Sequence, residues 1–394
     1  MTVTAVFNNW RTTGTRSAGR SHPALDPWLL GSASALIMLG IVMVYSASVA
    51  YAERTTGQGS YFLLRHLAHL GIAVLVMLVV YRMRVRVWER LGPYLLLTGM
   101  VLLVVVLLPG IGATINGSSR WIRLGAFSLQ PSELMKLFVI VYVAGYLVRR
   151  QDELVQFTRG ILMIGLVVAV IGMFLLQEPD LGSLAVISAT VMTMLFLGGV
   201  RFWHFGLVLL LGLGGMILLT VISPYRMGRV TSFLDPWSDP FGSGFQLTQA
   251  LIAVGRGEWF GAGVGASVQK LFYLPAAHTD FVFAVTAEEL GLVGVFVVMG
   301  LYAVIILRSF AIARAAELAG QIYSARLAQG LGLLLGVQAI INMGVNLGAL
   351  PTKGLTLPFV SYGGSSMIVC GIALAMLLRI GREAHAQGWG RGAT

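Results

Sequence analysis

The sequence has few charged side chains and almost no cysteine. Only 11% of its 394 residues are Asp, Glu, Lys or Arg, whereas soluble domains average about 25%, so the composition disfavours a soluble globular protein. The single cysteine, Cys370, excludes an internal disulfide and a cysteine-rich metal site. The sequence also contains no Gly-Lys-Ser or Gly-Lys-Thr phosphate loop, which argues against chemistry driven by ATP.

Hydrophobic residues make up 57% of the chain and form runs long enough to cross a membrane. A helical span needs about 20 predominantly apolar residues. The runs predict an all-α polytopic membrane protein with about ten transmembrane helices, at residues 28–51, 61–81, 93–112, 131–148, 160–177, 180–200, 204–223, 281–308, 326–349 and 359–380.

The distribution of basic residues predicts the orientation of these spans. The net charge is +11, and Lys and Arg concentrate in alternate connectors. Cytoplasmic connectors collect these residues, so both termini are expected in the cytoplasm, and the charge indicates a lipid surface instead of a nucleic-acid partner. Residues 224–280 then form one long periplasmic loop between spans 7 and 8. We predict a cytoplasmic arm at 1–27, a transmembrane domain at 28–382 and a cytoplasmic tail at 383–394.

An unusual group of acidic residues occurs in "LPAAHTDFVFAVTAEELGLVG", at the end of the long loop. Asp280 lies where the loop meets a hydrophobic helix, so it is either a helix N-cap, a task that Thr279 could also perform, or a general base. Partial burial would raise its pKa towards the range useful for accepting a hydroxyl proton. His278 is a secondary acid–base candidate or an ordinary polar contact of the loop.

Glu288 and Glu289 follow in the apolar part of the same helix. Buried carboxylates in membranes have partners, and adjacent helical residues differ by about 100° of azimuth, so each needs its own. We interpret them as structural supports beneath Asp280. The segment "SLQPSELMKLF" offers a candidate partner, because Glu133 and Lys136 lie three residues apart on one helix face. That pair is either structural or, through Lys136, part of a phosphate site.

The connectors on the outer side hold further basic and aromatic residues. In "INGSSRWIRLG", Arg120, Trp121 and Arg123 form either an ordinary interfacial belt or a site for a phosphorylated lipid head, with arginine binding phosphate and tryptophan stacking on a sugar. The periodicity of residues 246–254 predicts an interfacial amphipathic helix. The glycines after it allow close backbone approach or, more weakly, a phosphate cradle.

The stretch "NLGALPTKGLTLPFVSYGGSS" connects the last two spans. Its prolines and glycines predict a re-entrant or tightly turned segment. Lys353 is its only charged residue, and it is either a solvated loop lysine or a further contact for a phosphate at the level of Asp280.

Several long motifs in this order resemble the SEDS family, the polytopic bacterial proteins of shape, elongation, division and sporulation. They are "NGSSRWIRLGAFSLQPSELMKL", "QEPDLGS", "FLDPWSDPFGSGFQLTQALIAVGRGEWFGAGVG", "AAHTDFVFAVTAEELGLVG" and "LPTKGLTLPFVSYGGSS". The resemblance covers about residues 28–382 and is stronger to the division branch than to the elongation branch. It implies a peptidoglycan glycosyltransferase acting on lipid II at the septum of the bacterial inner membrane. Asp280 matches the essential aspartate and Trp121 an important tryptophan.

The resemblance also implies partners and a mechanism. The partners are a class B penicillin-binding protein (FtsI) and an activating complex of FtsQ, FtsL and FtsB. One inverting displacement, with Asp280 as general base, converts the α-linked donor into a β-linked product. The pyrophosphate would be stabilised by Arg120, Arg123, Lys136 or Lys353, or by a divalent cation (Mg or Mn). No metal-ligand set is identified, and no cofactor is certain. The alternatives are an elongation-type polymerase, a transporter that flips lipid II, and a scaffold.

Overall fold

The protein is predominantly helical. In a computed structural model we describe residues 25–391 except 116, 117, 126, 155 and 223, so most of the predicted arm at 1–27 lies outside the described residues. The helices are α1 (Pro27–Thr56), α2 (Tyr61–Arg82), α3 (Val85–Leu107), α4 (Pro131–Arg149), α5 (Met163–Gln177), α6 (Leu181–Leu197), α7 (Phe202–Ile222), α8 (Pro224–Leu234), α9 (Phe245–Arg256), α10 (Val282–Leu318), α11 (Ile322–Asn346) and α12 (Gly364–Arg391).

Each of the ten predicted spans overlaps one of these helices. Within the described residues, eight helical segments are long and apolar enough to cross a membrane: α1 to α4, Gly160–Gln177 around α5, and α10 to α12. Helix α6 is shorter, at 17 residues, and α7 has 21 residues at the position of the predicted seventh span. The chain is therefore a multi-pass membrane protein, as predicted.

Some helices are longer than the spans predicted from hydrophobicity. Helix α10 has 37 residues, or about 55 Å of helix, which exceeds the roughly 30 Å of a hydrocarbon layer. It continues past residue 308 to Leu318, and α12 continues through the predicted tail boundary at 382. Near the predicted cytoplasmic end, Arg308 of α10 forms an ion pair with Asp26, at 2.6 Å, directly before α1.

A small antiparallel sheet, which the sequence analysis did not predict, lies between α3 and α4. Its strands are β1 (Gly112–Ile115), β2 (Ser118–Leu124) and β3 (Phe127–Leu129), in the order β1-β2-β3. Strand β2 contains Arg120 and Trp121. The strands are only three to seven residues long, and their polar, glycine-containing sequence shows no sustained alternation that would indicate a sheet.

The long loop contains α8 and α9, and α9 confirms the amphipathic helix predicted there. After α9, the chain packs against a break in α10 at Gly291, whose φ is +67°. The main-chain amides of Ala262 and Gly263 donate to the carbonyls of Glu288 and Glu289, at 2.9 and 3.1 Å. The loop therefore supplies hydrogen bonds that the interrupted helix cannot make by itself. Close backbone approach explains Gly257 and Gly261, where a Cβ would lie 1.9 and 2.1 Å from carbonyl oxygens of α10.

The connector between α11 and α12 folds into the bundle. Leu355, Leu357, Phe359 and Val360 are buried, and the Tyr302 hydroxyl of α10 donates to the Pro358 carbonyl. A Cβ at Gly40, near the middle of α1, would lie only 2.7 Å from the Val360 carbonyl oxygen. The connector, called the re-entrant segment below, therefore packs among the helices, which agrees with the prediction of a re-entrant or tightly turned segment.

Candidate active site

Asp280 lies two residues before α10, and its carboxyl group is not the N-cap of that helix. The N-cap residue is Phe281, and no side chain of that residue caps the helix. Instead, Asn346 of α11 accepts a hydrogen bond from the Ala284 amide at 3.0 Å, so the neighbouring helix satisfies an amide of the first turn. Thr279 does not perform this task either, since its hydroxyl donates to the Ala276 carbonyl. The Asp280 carboxylate is thereby left available for other contacts.

The main chain at Asp280 is held from the opposite side by two amide side chains of α11. Asn342 and Asn346 both donate to the Asp280 carbonyl oxygen, at 3.0 and 3.1 Å. Asn342 also donates to the carbonyl of Leu355 in the re-entrant segment, at 2.6 Å. One turn earlier on α11, Gln338 donates to the Thr356 carbonyl at 3.0 Å. A single helix face therefore positions both Asp280 and the segment that follows Gly354.

The Asp280 side chain is half-buried, and its pKa is abnormal. Burial raises the pKa of this carboxyl group from 3.8 to about 6; nearby Arg120 opposes the shift, and Asp180 adds to it. A carboxylate with a pKa near 6 is mostly ionised at neutral pH and is a stronger base than an exposed aspartate. It is therefore suited to accept a proton from a hydroxyl group.

Arg120 is fixed beside Asp280 by the backbone before α6. Its Nε donates to the Glu178 carbonyl at 2.8 Å, and its Nη2 donates to the Pro179 carbonyl. Its Nη1 lies towards Gly354: a Cβ at Gly354 would be 4.0 Å from this nitrogen and 3.2 Å from Asp280 Oδ2. The glycine at 354 therefore lets the main chain approach both the carboxylate and the guanidinium group.

Two acidic residues near Arg120 were missed as site residues. Asp180 caps α6 through the Ser183 amide, at 3.1 Å, and accepts from the Ser132 hydroxyl at 2.8 Å. Glu178 is completely buried, and neither of its carboxylate oxygens has a partner within the described part of the chain. Burial raises its pKa to about 8; Asp180 adds to the shift and Arg120 opposes it. The sequence did contain a pattern that could have identified these two residues, because in "QEPDLGS" two acidic residues flank a proline at the start of a helix.

Glu133 and Lys136 form the predicted pair on one face of α4. Lys136 Nζ lies 2.8 Å from Glu133 Oε1 and 2.7 Å from the Gln338 side-chain oxygen. Lys136 is 1% exposed. Its ammonium group is therefore enclosed by protein, and this placement does not bring it to a surface where a phosphate could reach it.

Glu288 and Glu289 have separate partners, as predicted, but Lys136 is not one of them, so that expectation was wrong. Glu289 forms an ion pair with Lys270 at 2.8 Å and accepts from Ser46 of α1 at 2.6 Å. Glu288 accepts from the Ser267 hydroxyl and from the Val268 amide. Both carboxylates therefore anchor residues 265–270 of the long loop to α10. The last of these residues, Lys270, precedes Asp280 by ten positions. Sequence reasoning did not single out Lys270, because its partner lies 19 residues away.

The other predicted binding residues, Lys353, Arg123 and Trp121, differ in burial and in their position relative to Asp280. Lys353 is half-buried and directly precedes Gly354, whereas Arg123 is exposed. Trp121 is half-buried on β2, opposite Ala113 of β1. Because successive strand residues point to opposite faces, Trp121 and Arg123 share one face of the sheet. Arg120 is the extra residue at a β-bulge between β1 and β2, and it is the residue of this strand that the structure brings to Asp280.

His278 lies in an aromatic cluster and not beside the Asp280 carboxylate. Its ring centroid is 4.8 Å from that of Phe62 and 5.6 Å from that of Tyr362. Burial lowers its pKa to about 4, so the imidazole is neutral at pH 7. Its carbonyl accepts from the Tyr362 amide at 3.0 Å, which connects the loop before Asp280 to the end of the re-entrant segment.

The expected divalent cation finds no ready-made ligand set here. No group of three His, Cys, Asp or Glu side chains in the described ranges is arranged to hold a metal ion. Arg120 also lies next to Asp280 and Asp180, where its positive charge would oppose a cation.

Comparison with known proteins establishes the family. The family model FTSW_RODA_SPOVE, described as a cell cycle protein, matches residues 27–386. The chain belongs to this family. It is 55% identical over 368 residues to the "Probable peptidoglycan glycosyltransferase FtsW" of Nitrosococcus halophilus, covering 93% of this chain and 95% of that protein. It is 50% identical to the protein of the same name from Coxiella burnetii, covering 91% and 96% of the two chains.

Solved structures of the family have the same fold. One is described as "Structural coordination of polymerization and crosslinking by a peptidoglycan synthase complex"; the match has a TM-score of 0.74 and 31% identity, and it covers 92% of this chain and 99% of that chain. The rod shape determining protein RodA of Thermus thermophilus matches with a TM-score of 0.66 and 28% identity, over 93% and 99% of the two chains. The family resemblance predicted from the motifs is therefore confirmed.

Proposed function

We propose that this protein is a peptidoglycan glycosyltransferase that polymerises lipid II, with Asp280 as the general base. The observation that carries the proposal is the Asp280 carboxylate, which has a pKa of about 6 and lies with Arg120 beside Gly354, where a Cβ would be 3.2 Å from Asp280 Oδ2 and 4.0 Å from Arg120 Nη1. It precedes α10 by two residues, about 40 Å of helix away from Arg308. Asp280 therefore lies at the predicted periplasmic end of the bundle, where a lipid-linked sugar would present its head.

The reaction is a single inverting displacement. Asp280 accepts the proton of the acceptor sugar hydroxyl as that oxygen attacks the anomeric carbon of the donor. The bond from this carbon to the pyrophosphate oxygen breaks, and the lipid pyrophosphate leaves with the bonding electrons. An α-linked donor thus gives a β-linked product without a covalent enzyme intermediate. Arg120 and Lys353 stabilise the negative charge of the leaving group by proximity, and Arg123 contacts the lipid phosphate farther out.

The same proposal includes partners and location. The relatives named FtsW and the solved peptidoglycan synthase complex, which couples polymerization to crosslinking, support a class B penicillin-binding protein of the FtsI type as the crosslinking partner. We extend this to activation by FtsQ, FtsL and FtsB and to a position at the division septum. The identity of about 50% to relatives named FtsW, against 28% to RodA, favours division over elongation.

A flippase remains the competing function for the experiment to test. Against a flippase, the buried charges form two separate ion pairs, Glu133–Lys136 and Glu289–Lys270. These pairs do not form an open polar path between the two membrane faces. An enzyme needs its charges at the site of reaction, and Asp280 and Arg120 provide them at one end of the bundle.

The test compares Asp280→Asn with wild type in a purified complex with the penicillin-binding protein, supplied with lipid II. We expect glycan strands from wild type and none from Asp280→Asn. Asp235→Asn is the matched control, because Asp235 is an exposed aspartate of the same long loop, and it should retain full activity. Glycan strands made by Asp280→Asn at the wild-type rate would refute the general base. Lipid II flipping in liposomes by a wild type that makes no strands would favour the transporter.

A further inference from the structure

A cleft of about 320 Å³ lies between the end of α4 and the start of α5. Tyr142, Tyr146, Arg149 and Arg150 line it from α4, and Met163, Leu166 and Val167 line it from α5. It is on the side that the basic connectors predict to be cytoplasmic, far from Asp280. None of the residues that form the proposed active site takes part in it.

The connection between the two helices forms the cleft in a defined way. The Tyr146 hydroxyl donates to the Gly160 carbonyl at 2.9 Å. Gly160 packs so tightly that a Cβ there would lie 2.6 Å from the Glu153 carbonyl oxygen. Leu154, in the same connection, is 2% exposed. The connection between α4 and α5 is thus anchored to α4 through the Tyr146 hydroxyl. Its tight packing holds the start of α5 away from α4, and the cleft lies between the two helices.

The two walls of the cleft have complementary chemistry. On α4, the Arg149 guanidinium lies 6.0 Å from the centre of the Tyr142 ring, and Arg150 forms an exposed ion pair with Glu153. Arg149 and Arg150 are the charged residues among those that line the cleft, and the acidic Asp152 and Glu153 lie in the connection outside that lining. On α5, Met163 and Leu166 are 55% and 62% exposed, although they belong to a segment apolar enough to span the membrane. These side chains therefore face acyl chains.

We propose that this cleft binds the headgroup of an anionic phospholipid of the cytoplasmic leaflet. Arg149 and Arg150 bind the phosphate, the tyrosine side chains border the glycerol region, and an acyl chain packs along Met163 and Leu166. Basic pockets between membrane helices on the cytoplasmic side are suited to anionic lipid heads, and arginine binds phosphate through paired N–H donors. The apolar wall distinguishes a lipid from a soluble anion, which would leave Met163 and Leu166 uncovered.

The experiment measures lipid binding to the purified full-length protein by native mass spectrometry. Phosphatidylglycerol and phosphatidylcholine with identical acyl chains are titrated separately, so that only the headgroup differs. We expect wild type to prefer phosphatidylglycerol, and the Arg149→Gln/Arg150→Gln variant to lose that preference by about tenfold, since each basic residue contributes to anionic lipid binding. The matched control is Arg84→Gln/Arg86→Gln, which removes two exposed arginines at the same predicted face, outside the cleft. It should keep the preference.

A second variant distinguishes lipid binding in the cleft from general attraction of an anionic lipid to a basic surface. Leu166→Trp keeps both arginines but fills the apolar wall with an indole ring, so phosphatidylglycerol binding should weaken as it does in the double arginine variant. Equal loss in the Arg84/Arg86 control, or unchanged binding in Leu166→Trp, would overturn the proposal. Inorganic phosphate that displaces phosphatidylglycerol at equal concentration would assign the cleft to a soluble anion instead. All of these outcomes are independent of whether Asp280 is the catalytic base.

Discussion

The side chain of Asn346 contacts both ends of the turn that presents Asp280. Its Nδ2 donates to the Asp280 carbonyl at 3.1 Å, and its Oδ1 accepts from the Ala284 amide at 3.0 Å. Asn346 is completely buried on α11. It therefore replaces the N-cap that α10 lacks, and it leaves the Asp280 carboxylate turned towards Arg120 and Gly354.

Asn346→Ala is expected to lower kcat by about tenfold with little change in KM. Loss of the two hydrogen bonds to the turn, at roughly 1 kcal/mol each, lets the turn move, and displacement of a catalytic group reduces the rate more than it reduces binding. Strand synthesis is measured over a range of lipid II concentrations. Gln321→Ala is the control, since Gln321 is an amide at the other end of α11 that contacts the Glu383 carbonyl. A rise in KM at constant kcat would contradict a positioning role.

The pH dependence of the reaction should report the ionisation of Asp280. A general base works when it is deprotonated, so kcat/KM should rise with a slope of one as pH increases and level off above about pH 6. Arg120 lowers this pKa, so Arg120→Gln should move the rising limb to higher pH, in addition to reducing the rate. Arg123→Gln removes an exposed arginine of the same strand that is not among the charges shifting the pKa of Asp280, and the limb should keep its position. A limb that stays in place in Arg120→Gln would refute the electrostatic coupling.

Glu178 is expected to act as a neutral carboxylic acid. Its pKa is about 8, because burial disfavours the charged form, so at pH 7 the group is mostly protonated and similar in shape and charge to glutamine. Glu178→Gln should therefore retain wild-type activity at pH 7.

The thermal stabilities of wild type and Glu178→Gln should diverge as pH rises. Since the folded pKa exceeds the ordinary value of 4.5, the folded state binds the proton more tightly, and the free energy of unfolding falls between about pH 4.5 and pH 8. At pH 9 the wild type therefore unfolds at a lower temperature than Glu178→Gln, and at pH 4 this group makes no difference. Thermal unfolding in detergent at both pH values provides the measurement, with Glu53→Gln as an exposed control. Equal melting temperatures at pH 9 would contradict the argument.

The sequence predicted the helices of the bundle better than the contacts of the site. Long apolar runs determine where spans lie, because the bilayer demands them, and Asp280 is visible as a charge at the start of such a run. Asn342 and Asn346 lie in a predicted span and look like ordinary helix residues, since their partner at Asp280 is more than 60 positions away. Lys270 and Glu178 were missed for the same reason: the meaning of each charge depends on groups that only the folded chain brings close.

Two glycines six residues apart should respond oppositely to alanine. Gly261 has a φ of +81°, and a Cβ there would lie 2.1 Å from the Glu289 carbonyl oxygen. Gly261→Ala should cost more than about 2 kcal/mol, because it adds backbone strain and displaces the loop from the break in α10. Gly255 lies in α9, and a Cβ there would have no atom within 4 Å. Gly255→Ala should stabilise the protein by up to about 1 kcal/mol. Thermal unfolding checks both, and equal effects would refute close packing at Gly261.

Removing one partner of the Lys270–Glu289 ion pair should lower the free energy of unfolding strongly. Replacing both partners together should lower it much less. Both side chains are buried, and Lys270 Nζ also donates to the Ser46 hydroxyl at 2.8 Å and to the Gly265 carbonyl at 2.7 Å. Lys270→Met leaves the Glu289 charge buried without a cation, which typically costs about 3–5 kcal/mol. Adding Glu289→Gln removes that charge, so the double variant should regain most of the stability.

A double-mutant cycle on thermal unfolding measures this coupling. Arg150→Gln/Glu153→Gln is the control cycle, since that pair is exposed and exposed ion pairs contribute at most about 1 kcal/mol. The loop held by Lys270 leads to Asp280 within ten residues, so strand synthesis should fall in Lys270→Met and recover in the double variant along with stability. Additive losses in the double variant would mean that the two charges act independently and that the loop is held by other contacts.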